Sequence, residues 1–191
     1  YAELVTKNVR KACEKLALPY FRILRKEEAT DAGEDRVSVK SVEEAVSFLQ
    51  ETEGRIFIAT GSKELEKYTK LRNFKERCTA RILPSEEAIA KAVSLGFSGK
   101  HLIAMQGPFS EELNEAMLKS AGSRYFVTKS SGKEGGFAEK CRAARAAGAT
   151  LIVVERPEAE CPEKKEGQNA EKQTMTLQEA CQLLEGVAFK A

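Results

Sequence analysis

Arg55-Ile56-Phe57-Ile58-Ala59-Thr60-Gly61-Ser62-Lys63 is the stretch whose reading decides the fold. It is a short aliphatic and aromatic run that stops at a Thr-Gly-Ser turn. A run of this length, bounded by turn formers, reads as a buried strand. A helix is expected next, around 63–70. The same rhythm then repeats down the chain. Thr79 to Leu83 reads as a strand. Pro84-Ser85-Glu86-Glu87 opens a helix with Ala88, Ile89, Ala92 and Val93 apolar, and Gly96 follows its end. His101 to Gln106 is a strand, and Gly107-Pro108-Phe109-Ser110 a turn and N-cap. Leu113, Ala116 and Met117 face inward in the helix after it. Arg124 to Thr128, a loop from Lys129 to Gly136, a helix over 137–147 and a strand from Leu151 to Val154 complete the series. Strands alternating with amphipathic helices predict an α/β lobe with a parallel, Rossmann-like sheet.

Upstream, Leu4, Val5, Val9, Ala12, Cys13 and Leu16 recur at helical spacing, so residues 2–17 read as a helix that Pro19 ends. Tyr20 to Leu24 reads as a strand, Arg25 to Asp35 as a loop and Arg36 to Lys40 as a short strand. Ser41 and Glu44 form a capping box for a helix that carries Ala45, Val46, Phe48 and Leu49 inward. After Pro157 the composition shifts. Residues 158–173 are polar and without apolar period, which predicts an exposed linker. Thr176 and Glu179 form a second capping box, and a terminal helix over 174–191 is expected to carry Ala180, Leu183 and Leu184.

The 191 residues hold 31 Lys+Arg against 29 Asp+Glu, a net charge of +2, which argues against a polybasic nucleic-acid binder. No apolar run approaches the roughly 18 residues of a membrane helix, and no leader segment is read at the start. Five widely spaced cysteines and one histidine argue against a Cys/His metal site and for reduced thiols in the cytoplasm.

In an open parallel sheet, ligands bind beyond the carboxyl ends of the strands. Three unusual loops fall there: Thr60-Gly61-Ser62-Lys63, Gly107-Pro108-Phe109-Ser110, and Thr128-Lys129-Ser130-Ser131-Gly132. Right-handed crossovers put all three on one edge of the sheet. Each is expected to lead into a helix N-terminus, where free N–H groups favour an anion. Glycine admits close backbone approach, serine donates to an oxyanion, and Lys63 and Lys129 bring positive charge. Each loop taken singly is equally ordinary turn and capping chemistry; together they point to an anion-binding cleft. There is no G-x-G-x-x-G fingerprint, no Walker A loop and no G-x-S-x-G elbow. His101 reads as structural, and the pairs Glu43-Glu44, Glu86-Glu87 and Glu111-Glu112 as partners of helix dipoles.

These loops, in this order, resemble the precorrin-6A reductase (CobK/CbiJ) family of cobalamin biosynthesis. The resemblance rests on Ile58-Ala59-Thr60-Gly61-Ser62-Lys63-Glu64-Leu65, Arg81-Ile82-Leu83-Pro84, Gly107-Pro108-Phe109-Ser110 with Glu111-Glu112-Leu113-Asn114, Val127-Thr128-Lys129-Ser130-Ser131-Gly132, Lys140-Cys141-Arg142-Ala143-Ala144-Arg145, and Val153-Val154-Glu155-Arg156-Pro157. Tyr1 through Asn8, with Leu18-Pro19-Tyr20-Phe21-Arg22, looks like part of the family's first lobe. The resemblance implies two Rossmann-like lobes: residues 1–50 as the remnant of the first, 51–157 as the second, then the linker and the C-terminal helix. It implies hydride transfer from NADPH or NADH to a ring double bond of a tetrapyrrole, precorrin-6A or cobalt-precorrin-6A, with no nucleic-acid or membrane partner. Gly61, Ser62, Lys63, Lys129, Ser130, Ser131 and Gly132 would then contact the cofactor, and Gly107, Pro108, Phe109 and Ser110 the substrate. No proton donor is assigned; Lys129 is the one candidate named for it. The family's glycine-rich G-G-T-x-E turn has no counterpart here, so the chain is expected to be a fragment that is inactive by itself. Two other readings stay open: a nonenzymatic anion-binding α/β module, and one lobe of a nucleotide-sugar transferase.

Overall fold

The computed structural model describes residues 3–20, 22–24, 36–130, 135–155, 174–176 and 180–182. The chain divides into two units, one of residues 1–27 with 162–191 and one of residues 28–161. In the first, α1 (Glu3–Lys15) precedes β1 (Arg22–Leu24), which pairs in parallel with the strand Thr174–Thr176. The expected helix over 174–191 is thus a strand at its start. Ile23 is registered against Met175, so a non-local pairing overrides the local capping signal at Thr176. Residues 180–182 are helical, and Leu183 and Leu184 lie outside the described residues.

The second unit carries β2 (Arg36–Val39), α2 (Val42–Gln50), β3 (Arg55–Ala59), α3 (Leu65–Tyr68), α4 (Phe74–Arg77), β4 (Cys78–Ile82), α5 (Glu86–Ser94), β5 (Leu102–Ala104), α6 (Glu111–Ser120), β6 (Ser123–Lys129), α7 (Phe137–Ala146) and β7 (Thr150–Val154). Thr174–Thr176 is β8. Six strands form one sheet in the order β2-β7-β6-β3-β4-β5, and every pair is parallel. This is the Rossmann-like α/β sheet the sequence predicts.

Side chains alternate across the sheet as the strand period requires. Ile56 and Ile58 join a core with Val42, Ala45 and Leu49 of α2, Leu65 and Tyr68 of α3, and Ala88 and Ala92 of α5. Phe57 points to the other face and packs with Leu118 of α6, Ala143 and Ala144 of α7, and Phe126. The Phe57 and Phe126 rings meet edge to face with centroids 5.6 Å apart. Burying each such ring contributes about 1.5–3 kcal/mol relative to leaving it in water.

Several expectations change. Phe48, Leu113 and Ala116, expected to face inward, are exposed. The boundary between lobes, expected after residue 50, lies before β2 instead. Val39 is registered against Val154, and α2 buries Val42, Ala45, Val46 and Leu49 in the core of this same sheet. The helix expected around 63–70 is broken into a 3-10 turn at Ser62–Glu64 and the single turn of α3. Asn73, at φ 55°, then starts α4, which the sequence reading does not contain. No helix among the described residues is long and apolar enough to cross a membrane.

The chain builds outward from β3 through β4 to β5, then returns to place β6 on the other side of β3. The strand order therefore reverses between β3 and β6. A crevice opens beyond the carboxyl ends of strands at such a reversal, where α/β sheets take their ligands.

Candidate functional site

Thr60-Gly61-Ser62 leaves β3 and Lys129-Ser130 leaves β6 at this reversal, where Ala59 is registered against Thr128. Thr60 is buried, its hydroxyl 3.3 Å from that of Tyr68. Burial pushes the Tyr68 phenol far above its usual range, so this pair stays neutral. Gly61 sits at φ 87°, ψ 171°, a conformation essentially reserved for glycine. A Cβ there would meet no atom within 4 Å. The backbone thus takes a form only glycine adopts without strain, beside open space, which is what close approach by a ligand needs.

Lys129 Nζ lies 3.9 Å from Glu64 Oε1. Glu64 also pairs with Lys67, and Lys67 with Glu43 at 2.8 Å. Glu64 enters the sequence reading only inside the matched motif, with no role assigned, yet its carboxylate lies within ion-pair distance of the Lys129 ammonium. Only its position three residues after Gly61 signals it. Ser130 N–H donates to the Val154 carbonyl at 2.9 Å, which anchors the start of the loop. Lys63 is exposed, and its carbonyl accepts a hydrogen bond from Lys91 Nζ at 3.2 Å. Ser131 and Gly132 lie outside the described residues. The structure thus brings Gly61, Ser62, Lys129 and Ser130 to one crevice. The elements after the turns differ from expectation. The segment after β3 is too short to have an appreciable macrodipole, and α7 begins only at Phe137. Of the three loops, only Gly107–Ser110 runs directly into a long helix, α6, whose Leu113 N–H donates to Ser110 Oγ at 3.3 Å.

That third loop lies past β5, two strands from β3 on the same carboxyl edge. It contains a cis Gly107–Pro108 peptide bond. Phe109 covers Arg81, with the guanidinium carbon 3.8 Å from the ring centroid. Arg81 is 5% exposed and donates to Asn114 Oδ1 at 2.8 Å. Asn114 Nδ2 donates to the carbonyls of Phe109 at 3.3 Å and Ser110 at 2.8 Å. Burial pulls Arg81 down to about 10. Burial, then the nearby Arg81 charge, pulls Lys140 down to about 8. Sequence reasoning assigned these three buried polar residues no role. An arginine inside an otherwise uncharged, buried strand is the signal that could have marked the first.

Gly136 closes the loop that starts at Lys129. A Cβ on it would lie 3.7 Å from the Phe109 carbonyl oxygen, so this loop ends against the Phe109 turn. A recess of about 460 Å³ opens here beside Phe109 and Gly136, with the carboxylates of Glu111, Glu112 and Glu139 and the guanidinium of Arg142 in its lining. Arg142 is held by Glu111 and Glu139. His101 lies at the amino end of β5, away from this edge, with Nδ1 3.3 Å from Thr79 Oγ1. That is the structural role expected of it.

One sheet edge thus offers two different surfaces. The crevice between β3 and β6 has open backbone and an ammonium group, donors that suit an anion. The turn after β5 has an aromatic ring on a buried cation and a roomy recess beside it.

Comparison with known proteins gives consistent matches. The profile of a family described as "Precorrin-6x reductase CbiJ/CobK" matches residues 1–185. The chain is 37% identical over 162 residues to the cobalt-precorrin-6A reductase of Priestia megaterium, covering 84% of this chain and 63% of that one. It is 38% identical over 160 residues to the enzyme of the same name from Methanothermobacter thermautotrophicus, covering 83% and 52%. It is 27% identical over 161 residues to the precorrin-6A reductase of Sinorhizobium sp, covering 82% and 57%. A solved structure titled CobK precorrin-6A reductase superposes with a TM-score of 0.64 at 18% identity, covering 95% of this chain and 68% of that one, which is a likeness of fold. The chain spans between 52% and 63% of the length of the curated relatives it matches.

Proposed function

Because this chain belongs to the precorrin-6x reductase (CbiJ/CobK) family, we propose that it is part of an enzyme that reduces a ring double bond of precorrin-6A or cobalt-precorrin-6A in cobalamin biosynthesis, using NADPH or NADH. The observation that carries this reading is the pairing of two unlike subsites on one sheet edge. Gly61 presents open backbone in a conformation that favours glycine, on the turn beside the β6 end that carries Lys129, and Phe109 walls a recess past β5. The nucleotide phosphates fit the first, where Gly61, Ser62, Lys129 and Ser130 hold them, with Lys63 at the margin and Ser131 and Gly132 next in sequence. The tetrapyrrole fits the second, along Gly107, Pro108, Phe109 and Ser110.

When bound, the reduced nicotinamide supplies the hydride, and one proton completes saturation of the double bond. The chain's residues bind and orient. Backbone N–H groups at Gly61 and Ser62 and the Lys129 ammonium fix the nucleotide's charge, which sets where the nicotinamide can reach. Glu64 pairs with the ammonium until an anion replaces it.

The chain holds no G-G-T-x-E turn, so the 191 residues alone are expected to bind anions without turning over. The test is loss of reduced-nicotinamide absorbance with precorrin-6A and with its cobalt form. The assay is run on this chain and on the protein extended to the relatives' length. Turnover by the extended protein only is expected. No turnover by the extended protein with either substrate would remove the assignment, and turnover by the 191 residues would remove the fragment reading.

A further inference from the structure

We propose that Arg81 is a positioning residue: through the Phe109 ring and through Asn114 it sets the shape of the Gly107–Ser110 turn that receives the macrocycle, without touching the macrocycle. The inference rests on the reading of that turn as the substrate-facing surface.

The argument starts from the strand. Ala80 and Ile82 of β4 enter the core shared with α2 and α5. Arg81, between them, must point to the opposite face. There it meets Phe57, with the guanidinium carbon 5.5 Å from the ring centroid, and Met117, whose sulfur lies 3.4 Å from Nη1. A cation buried in such surroundings is expensive, and an aliphatic side chain of similar size would fill the space at no electrostatic cost. Among the described residues Arg81 makes no ion pair. Its closest ring contact and its hydrogen bond to oxygen instead fall on one short segment. The guanidinium lies over the Phe109 ring at 3.8 Å. Nη1 donates to Asn114 Oδ1 at 2.8 Å.

Asn114 is 1% exposed, so its amide orientation is fixed by its partners. With its oxygen occupied by Arg81, its nitrogen must face the carbonyls of Phe109 and Ser110, as it does. Arg81 therefore reaches Phe109 twice, once at the ring and once, through Asn114, at the carbonyl. The ring in turn fills the space over Gly107. A Cβ on Gly107 would lie 2.9 Å from a Phe109 ring carbon. Ring, carbonyl and glycine form a closed set of contacts built around the Arg81 cation. Lysine cannot substitute, because an ammonium lacks the plane that stacks on the ring and the fork that also holds Asn114.

A residue needed only for stability and one that shapes the turn differ in what moves on substitution. In the extended protein, Arg81→Lys and Arg81→Met are expected to raise the KM for the tetrapyrrole by about tenfold or more, the scale of a lost charge-assisted contact. The KM for the nicotinamide, bound two strands away, should change less than about twofold. Arg81→Lys should not rescue Arg81→Met. Hydrogen exchange on the 191-residue chain carrying Arg81→Lys should show faster exchange at residues 110–114, with β3 and β6 as protected as before. An unchanged tetrapyrrole KM, equal rises in both KM values, or unaltered exchange at 110–114 would each overturn the proposal. So would unfolding of both variants, which would make Arg81 a stability residue. An unsubstituted extended protein that turns over neither substrate would instead refute the reading of function, and the exchange experiment would still decide the role of Arg81.

Discussion

Lys140 gives a quantitative test of the buried layer beneath the Phe109 turn. It lies on α7, 9% exposed, and is held down to about 8 from an ordinary 10.5, first by burial and then by Arg81; Cys141 and Glu139 act weakly in the other direction. Between these two values the unfolded chain binds a proton that the folded chain does not. Stability linked to this group therefore rises with pH. From pH 7 to pH 9.5 the gain is about 2 kcal/mol, with each pKa unit worth about 1.4 kcal/mol over the part of the range above the folded value. Lys140→Met removes the titration and keeps the hydrocarbon. Other groups titrate in the same window. Burial pushes the Cys78 thiol up to about 12, which lowers stability as the unfolded thiol ionises. That contribution is common to both proteins and cancels in their difference. Urea unfolding at intervals from pH 7 to pH 9.5 measures that difference, since urea adds no ions to screen Arg81. The variant's stability relative to the unsubstituted chain should fall by about 2 kcal/mol across the range. Parallel curves for the two proteins would refute the claim that Lys140 is desolvated beside Arg81.

Two further expectations concern the crevice at the strand reversal. Gly61→Ala meets open space but must keep φ at 87°, so thermal unfolding should show a loss of about 1–3 kcal/mol from backbone strain. Titration calorimetry of the extended protein should also show weaker nicotinamide nucleotide binding, and unchanged stability would mean that the turn relaxes. Lys129→Ala should weaken nucleotide binding by about 1.5–3 kcal/mol, the scale of a hydrogen bond to a charged group, and equal affinities in the two proteins would return Lys129 to a purely structural role.

The strands from Arg55 to Val154 were legible because each is a short apolar run punctuated by Gly, Pro or Ser, and buried parallel strands need nothing else. Helix starts were legible for the same local reason. Ser41, Ser85 and Ser110 each accept from an N–H three residues on. Harder features were those decided by distant chain. Nothing near Arg36 indicates Leu151 as its partner, so the sequence alone groups β2 with residues 1–50 and not with the sheet it joins. Thr176 looks like an N-cap until Leu24 pairs with it. At the site, the three loops could be placed on one edge from handedness alone. The sequence could not show that Arg81, Asn114 and Phe109 form one contact set, because they come from a strand, a helix and a loop.

The position of β2 has a consequence for synthesis. Arg36–Val39 leaves the ribosome among the first segments of this unit, but its sheet partner, Thr150–Val154, leaves among the last. Until then Val37 and Val39 have no strand to lie against, while β3, β4 and β5 can already assemble in sequence order. Non-local pairing of this kind forms late and leaves an unpaired edge exposed meanwhile. Arg36, Lys40, Glu43 and Glu44 flank that edge, and their charges discourage another nascent chain from adding to it. A translation product ending before Thr150 would lose two strands of the sheet at once, although it would lack only one of them in sequence.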